Sequence, residues 1–172
     1  RILPSAFIPA NGRAPADVRQ ALVNAINLGA RVVAYQGHAG YQQIDHHALV
    51  GTGDVSGLPP AAWLLSTCLT GTYILNDWTT PVISHALLAE PGSGAVSLLC
   101  STRYGDLGEE HIIVQEALRR MRDAAPTWGG LVSALKRDLA YTNAIHHYVL
   151  LGDPALATVD LAEDSRGIVV DV

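Results

Sequence analysis

The chain has 172 residues, 49% of them apolar and only 16% charged, with 11 Lys+Arg against 16 Asp+Glu for a net charge of −5. This composition excludes intrinsic disorder, a charged coiled coil and a low-complexity scaffold, and no basic run exists to neutralise a phosphate backbone, so no nucleic-acid partner is expected. The longest apolar runs fall well short of the ~18–20 residues of a membrane span, and two cysteines allow at most one disulfide.

One domain over residues 1–172 is therefore expected, with no repeat and no dividing linker. Arg1–Ile8 reads as a strand interrupted by Pro4, and Arg1-Ile2-Leu3-Pro4 lacks the regions of a signal peptide, although a leader already removed would leave the same start. Asn11-Gly12 marks a turn. Pro15 opens a helix whose Val18, Leu22 and Ile26 form one apolar stripe, and Gly29 closes it. Arg31–Tyr35 is a short β-branched run suited to a buried parallel strand. Gln36–Pro60 is a long loop rich in Gly, His, Asp and Gln, the kind that tends to carry function.

Ala61–Thr67 is a second strand, ending at Cys68, and the loop after it holds Gly71, Asn76, Asp77 and Trp78. Thr80-Pro81 starts a helix that Pro91–Gly94 ends, and Ala95–Ser101 is a third strand. Gly108–Ala124 and Gly130–Tyr141 are further helices, Tyr148–Leu151 is an apolar run, and Gly167–Val172 adds a last strand. Strands alternating with helices predict an α/β fold with a mostly parallel sheet.

In such a sheet, ligands bind beyond the carboxyl ends of the strands. His38 follows the first strand in Tyr35-Gln36-Gly37-His38-Ala39-Gly40, and Cys68 follows the second in Ser66-Thr67-Cys68-Leu69-Thr70-Gly71. If the two strands are neighbours, both side chains emerge at one edge. A cysteine beside a histidine is a nucleophile with its base, because the thiolate is the reactive form of the thiol. Cys100, inside Val96–Cys100, reads instead as a buried small hydrophobe. His46-His47 and His146-His147 come with no HExxH or CxxC, so no metal centre and no cofactor is expected. Asp153, before Pro154, reads as a turn former, and Trp63, Trp78 and Trp128 as core or loop anchors.

The two blocks resemble the Tyr-x-Gly-His-Gly and small-small-Cys-x-x-Gly motifs of the gingipain family of cysteine peptidases, in the caspase-like superfamily. Gly94-Ala95-Val96 with Ser101-Thr102-Arg103 resembles its next strand and substrate-facing end, and Leu150-Leu151-Gly152-Asp153-Pro154 its closing Leu-Gly-Asp-Pro motif. The resemblance runs from about Ile26 to Leu156. It implies a caspase-like three-layer sandwich and a cysteine endopeptidase with Cys68 as nucleophile and His38 as general base and acid. It further implies an oxyanion hole from the backbone N–H groups of Cys68 and Ala39, and substrate contacts at Ser101, Thr102 and Arg103.

Ala39 stands where the family prefers glycine, which keeps open a catalytically inactive scaffold or a partner-regulated module of the CHAT type. Family domains are longer and carry elements before the His block, so N-terminal strands are expected to be missing from this chain. A separate N-terminal chain, as zymogen processing would produce, or a partner domain is expected to cover the exposed sheet edge. The implied substrate is a protein or peptide, and the implied compartment secreted or cell-surface bacterial, with the cytoplasm also open.

Overall fold

The computed structural model describes residues 6–9, 12–73, 81–92, 94–124, 126–158 and 167–171. In chain order they form β1 (Ala6–Pro9), α1 (Pro15–Asn27), β2 (Val32–Gln36), β3 (Gln43–Ile44), β4 (Val50–Gly51), β5 (Ala61–Ser66), α2 (Ile83–Ala89), β6 (Ala95–Ser101), α3 (Leu107–Ala124), α4 (Trp128–Asp138), β7 (Tyr148–Gly152) and β8 (Gly167–Asp171). A 3-10 turn, Ala144–His147, leads into β7. Asn11, Asn76, Asp77, Trp78, Thr80 and Val172, and the Arg1–Ser5 part of the first segment, lie outside the described residues. No helix among these residues is long and apolar enough to cross a membrane.

The main sheet runs in the order β1-β8-β2-β5-β6-β7, parallel throughout except for β7, which pairs antiparallel to β6. Alternation along the strands divides the core in two. Val33, Tyr35, Trp63, Leu65 and Leu98 face α1 and α2, meeting Val18, Leu22, Ile26, Ile83 and Leu87. Val32, Ala34, Ala62, Leu64 and Leu99 face α3 and α4, meeting Ile113, Ala117, Met121, Trp128, Leu131 and Leu135. The result is a three-layer α/β/α sandwich. Trp63 and Trp128 are core anchors, each 1% exposed.

Helix boundaries shift from those read in the sequence, and the helix read to Tyr141 ends at Asp138. The helix expected from Thr80-Pro81 starts at Ile83. The helix expected from Gly130 starts earlier, at Trp128, because Thr127 caps it by accepting from Gly130 N at 3.2 Å. The long loop after β2 contains the antiparallel ribbon β3/β4. Beside β2 lie β8 and then β1, so the margin of the sheet on this side is β1.

Candidate active site

β2 and β5 run parallel in register, Val32 opposite Ala62 and Gln36 opposite Ser66, and Gly37 N extends the pairing by donating to Ser66 O at 3.2 Å. His38 and Cys68 are therefore each two residues past the last paired position, at the same edge of the sheet. Gly37 has φ +150°, which glycine alone adopts without strain. The His38 carbonyl is held twice, by Tyr35 Oη at 2.7 Å and Asp45 N at 2.9 Å. Burial, with the Asp45 charge second, pushes the Tyr35 phenol up, so it stays a proton donor at neutral pH. The His38 side chain is exposed and its ring lies against that of His46, with centroids 4.7 Å apart and planes 32° apart.

After His38 the chain turns back on itself. Gly40 N donates to Gln43 O at 3.0 Å and Asp45 N to His38 O, so Ala39 and Ile44 form the non-hydrogen-bonded pair of a short ladder. The Ala39 N–H consequently points away from that ladder. Ala39 is not among the residues with positive φ, and any L-residue adopts its backbone conformation. Neither the Ala39 N–H nor the Cys68 N–H has an acceptor among the described residues.

Cys68 is half-buried and sits at the entry to a tight turn. Leu69 has φ +64°, and Thr70 N donates to Cys68 O at 2.8 Å, a three-residue γ-turn. A leucine rarely occupies that region, and here neighbours hold it. Leu69 N donates to Arg103 O at 3.1 Å and Gly71 N to Ser101 O at 2.7 Å. Gly71 has no room for a side chain, since a Cβ would lie 3.0 Å from Cys100 Sγ, Ser101 O and Val149 Cγ2. Cys100 is fully buried and its thiol is pushed up to about 12 by burial, which makes it inert.

Ser101, Thr102 and Arg103 brace this turn. Ser101 is 1% exposed and donates to Arg103 O at 3.1 Å. Thr102 donates through both N and Oγ1 to His147 O, at 3.0 and 3.1 Å, and accepts at its carbonyl from Thr72 Oγ1 at 3.0 Å. Arg103 borders a cleft, and its Nη1 lies 3.5 Å from His147 Nε2. Burial first, and then the Arg103 charge, hold the His147 imidazole below its ordinary range.

Two clefts flank the site. One, of about 440 Å³, is lined by Ala39 and Leu69, the residues following His38 and Cys68, together with Tyr41, Asp45, His46 and Tyr104. The other, of about 430 Å³, takes in Arg103, Asp106, Asn143 and His147 and shares Tyr104 with the first. Among the described residues no group of three or more His, Cys, Asp or Glu side chains is arranged to hold a metal ion.

Beneath the turn lies a feature that inspection of the sequence overlooks. Glu110 is 0% exposed and, among the described residues, neither carboxyl oxygen has a hydrogen-bond partner. Burial is the main cause that pushes its carboxyl up to about 7, with the Asp106 charge adding to it. The signal is present in the helix period, because Glu110 shares the spacing of buried Val114, Ala117 and Met121 on α3.

The chain is similar in fold to two structures of a Porphyromonas gingivalis peptidase. One is the complex of RgpB pro- and mature domains (20% identity, TM-score 0.66) and the other is the Arg-specific cysteine proteinase gingipain R (20% identity, TM-score 0.62). Each match covers 88% of this chain but 38% of the other, so this chain spans well under half of those it resembles. A third structure, described only as a protease, matches at 14% identity and TM-score 0.58, over 78% of this chain and 37% of that one. No curated protein matches the chain by sequence. The profile of peptidase family C25 matches residues 6–159, nearly the whole of the sheet and the loops that carry His38 and Cys68, and the chain belongs to that family.

Proposed function

We propose that this chain is the part of a cysteine endopeptidase that carries its His–Cys dyad. The observation that carries this reading is the parallel register of β2 and β5, which brings His38 and Cys68 out at one edge, each two residues beyond Gln36 and Ser66. Cys68 Sγ, as thiolate, attacks the scissile carbonyl carbon, and the N–H groups of Ala39 and Cys68 receive the developing oxyanion. The imidazolium of His38 then gives its proton to the leaving amine as the C–N bond breaks, leaving a thioester on Cys68. Water attacks the thioester, His38 takes the water's proton, and the acid leaves as the thiolate is regenerated.

In this reading the Ser101–Arg103 segment walls the substrate cleft, with Arg103 as the side chain that meets substrate. The neighbouring structures are more than twice as long as the portion matched, and one of them is a complex of pro- and mature domains. We therefore place the rest of the substrate-binding wall in an N-terminal region or partner domain against the β1 margin. The test is labelling with a thiol-directed peptide electrophile, mapped by mass spectrometry, alongside Cys68→Ala and His38→Ala variants. Label on Cys68, lost with cleavage activity in both variants, is the expected result. Preferential label on Cys100 would overturn the assignment.

A further inference from the structure

We propose that the segment Ser101–Asp106 is a proton-operated cover, shut over a neutral Glu110 and lifted when Glu110 ionises, so that the turn holding Cys68 slackens. Its consequence for activity rests on the reading of Cys68 above; the motion itself does not.

The carboxyl is sealed inside the chain. Glu110 is 0% exposed, and neither of its oxygens has a partner among the described residues. The layer that seals it is thin. Gly105 runs directly over the carboxyl, where a Cβ would overlap Oε1 and lie 2.7 Å from Cδ. The outer side of that layer is open to solvent, since residues 103–106 are exposed and line the cleft of about 430 Å³. One thickness of backbone separates the carboxyl from water.

The groups around it do not neutralise a negative charge. Those that titrate and act on it are the Asp106 carboxylate, in the cover, and the Tyr148 phenol, at the start of β7. The Cys68 thiol beyond β5 and the Cys100 thiol of β6 act on the same phenol, and the Ser101 hydroxyl is turned to Arg103 O. None of these is a cation, and no Lys, Arg or His of α4 or the 3-10 turn acts on the carboxyl. An ionised Glu110 must therefore stay unsolvated or admit water, and water enters past Gly105.

The cover is also the anchor of the Cys68 turn. Arg103 O accepts from Leu69 N at 3.1 Å, Ser101 O from Gly71 N at 2.7 Å, and Thr102 O from Thr72 Oγ1 at 3.0 Å. These ties hold Leu69 at its φ of +64°. Lifting the cover loosens them together.

The size of the effect follows from linkage. Shut in, the carboxyl titrates at about 7; hydrated under an open cover it returns to an ordinary 4.5. The ratio of open to closed then climbs with pH between those values and levels off above about 7, a gain of about 70-fold from pH 5 to pH 8. The test is amide hydrogen exchange, read by mass spectrometry on the intact protein at pH 5 and pH 8 and corrected for the intrinsic pH dependence of exchange. Wild type is compared with Glu110→Gln and Gly105→Ala. In wild type, peptides covering residues 101–106 and 69–72 should exchange about 70-fold faster at pH 8 than the correction alone gives, with β2 and β5 unchanged. Glu110→Gln should abolish the excess. Gly105→Ala, whose Cβ forces the cover up, should exchange fast at both pH values.

A flat corrected rate in wild type, or an excess that survives Glu110→Gln, overturns the proposal. So does an excess shared by β2 and β5, which is loss of the whole fold rather than of a cover. An excess at 101–106 with none at 69–72 overturns it too, because the cover and the turn would then move independently. Gly105→Ala as protected as wild type at pH 5 also overturns it, since Gly105 would not be what shuts the site. The reading of Cys68 fails separately: if its alkylation by iodoacetamide ignores His38→Ala, the dyad falls, and the exchange series still decides whether the cover exists.

Discussion

Glu110→Gln isolates the cost of a buried, unpaired carboxyl beneath the candidate site. In the folded chain this group titrates at about 7 against an ordinary 4.5, with burial as the main cause. Below about pH 4.5 it is protonated in both folded and unfolded states and adds no slope. Between 4.5 and about 7 the folded chain keeps a proton that the unfolded chain has lost, so stability falls as pH rises. Above about 7 both states are ionised and the full penalty is present. At ~1.36 kcal/mol per pKa unit, the loss across that window is about 3 kcal/mol. Urea unfolding from pH 4 to pH 8 should show the difference between Glu110→Gln and wild type moving by about that amount, in favour of the variant at high pH. Reading the change with pH removes any constant offset from fitting an amide into the site. Parallel curves for the two proteins would refute the reasoning and mean that Glu110 is paired or hydrated.

Gly71→Ala should destabilise the fold by about 1–3 kcal/mol and slow Cys68 alkylation, since its Cβ presses on Cys100 Sγ, Ser101 O and Val149 Cγ2 at 3.0 Å; an unchanged melt and labelling rate would mean the turn yields freely. Tyr148→Phe removes the buried bond from Tyr148 Oη to Leu65 O at 3.1 Å, and urea unfolding should register a loss of about 1–3 kcal/mol.

Much of the fold was legible because the elements that build it carry strong periods. The stripe Val18, Leu22, Ile26 is buried as its spacing implies, and the strands read at Arg31–Tyr35, Ala61–Thr67 and Ala95–Ser101 match β2, β5 and β6 to within a residue or two. That His38 and Cys68 each follow one of two neighbouring strands at the same sheet edge then comes from parallel pairing of two buried strands. What escaped has no local signature. β3 and β4 are two residues each, too short for alternation to register. The placing of β8 between β1 and β2 joins segments from opposite ends of the chain, which no window of sequence contains. The positive φ of Leu69 and Asp45 is imposed by distant partners, Arg103 O and His38 O, on residue types that do not prefer it. Glu110 was legible in principle, but a lone glutamate among Glu109, His111 and Gln115 reads as solvent-facing unless the helix phase is followed.

The shared offset of His38 and Cys68 beyond the Gln36–Ser66 pair makes the sheet a ruler: their separation derives from one inter-strand step of about 4.8 Å, and the 25 or so residues looping between the strands do not enter it. A break anywhere in that loop leaves both ends anchored by the same ladder, so base and nucleophile would keep their spacing even on separate polypeptides. A single residue inserted between Tyr35 and His38 does the opposite. It shifts the imidazole out of the alternation it shares with Val32 and Ala34 on the side of α3 and α4, toward the face of Val33 and Tyr35 where α1 and α2 lie. The architecture therefore tolerates cleavage far better than it tolerates a one-residue slip.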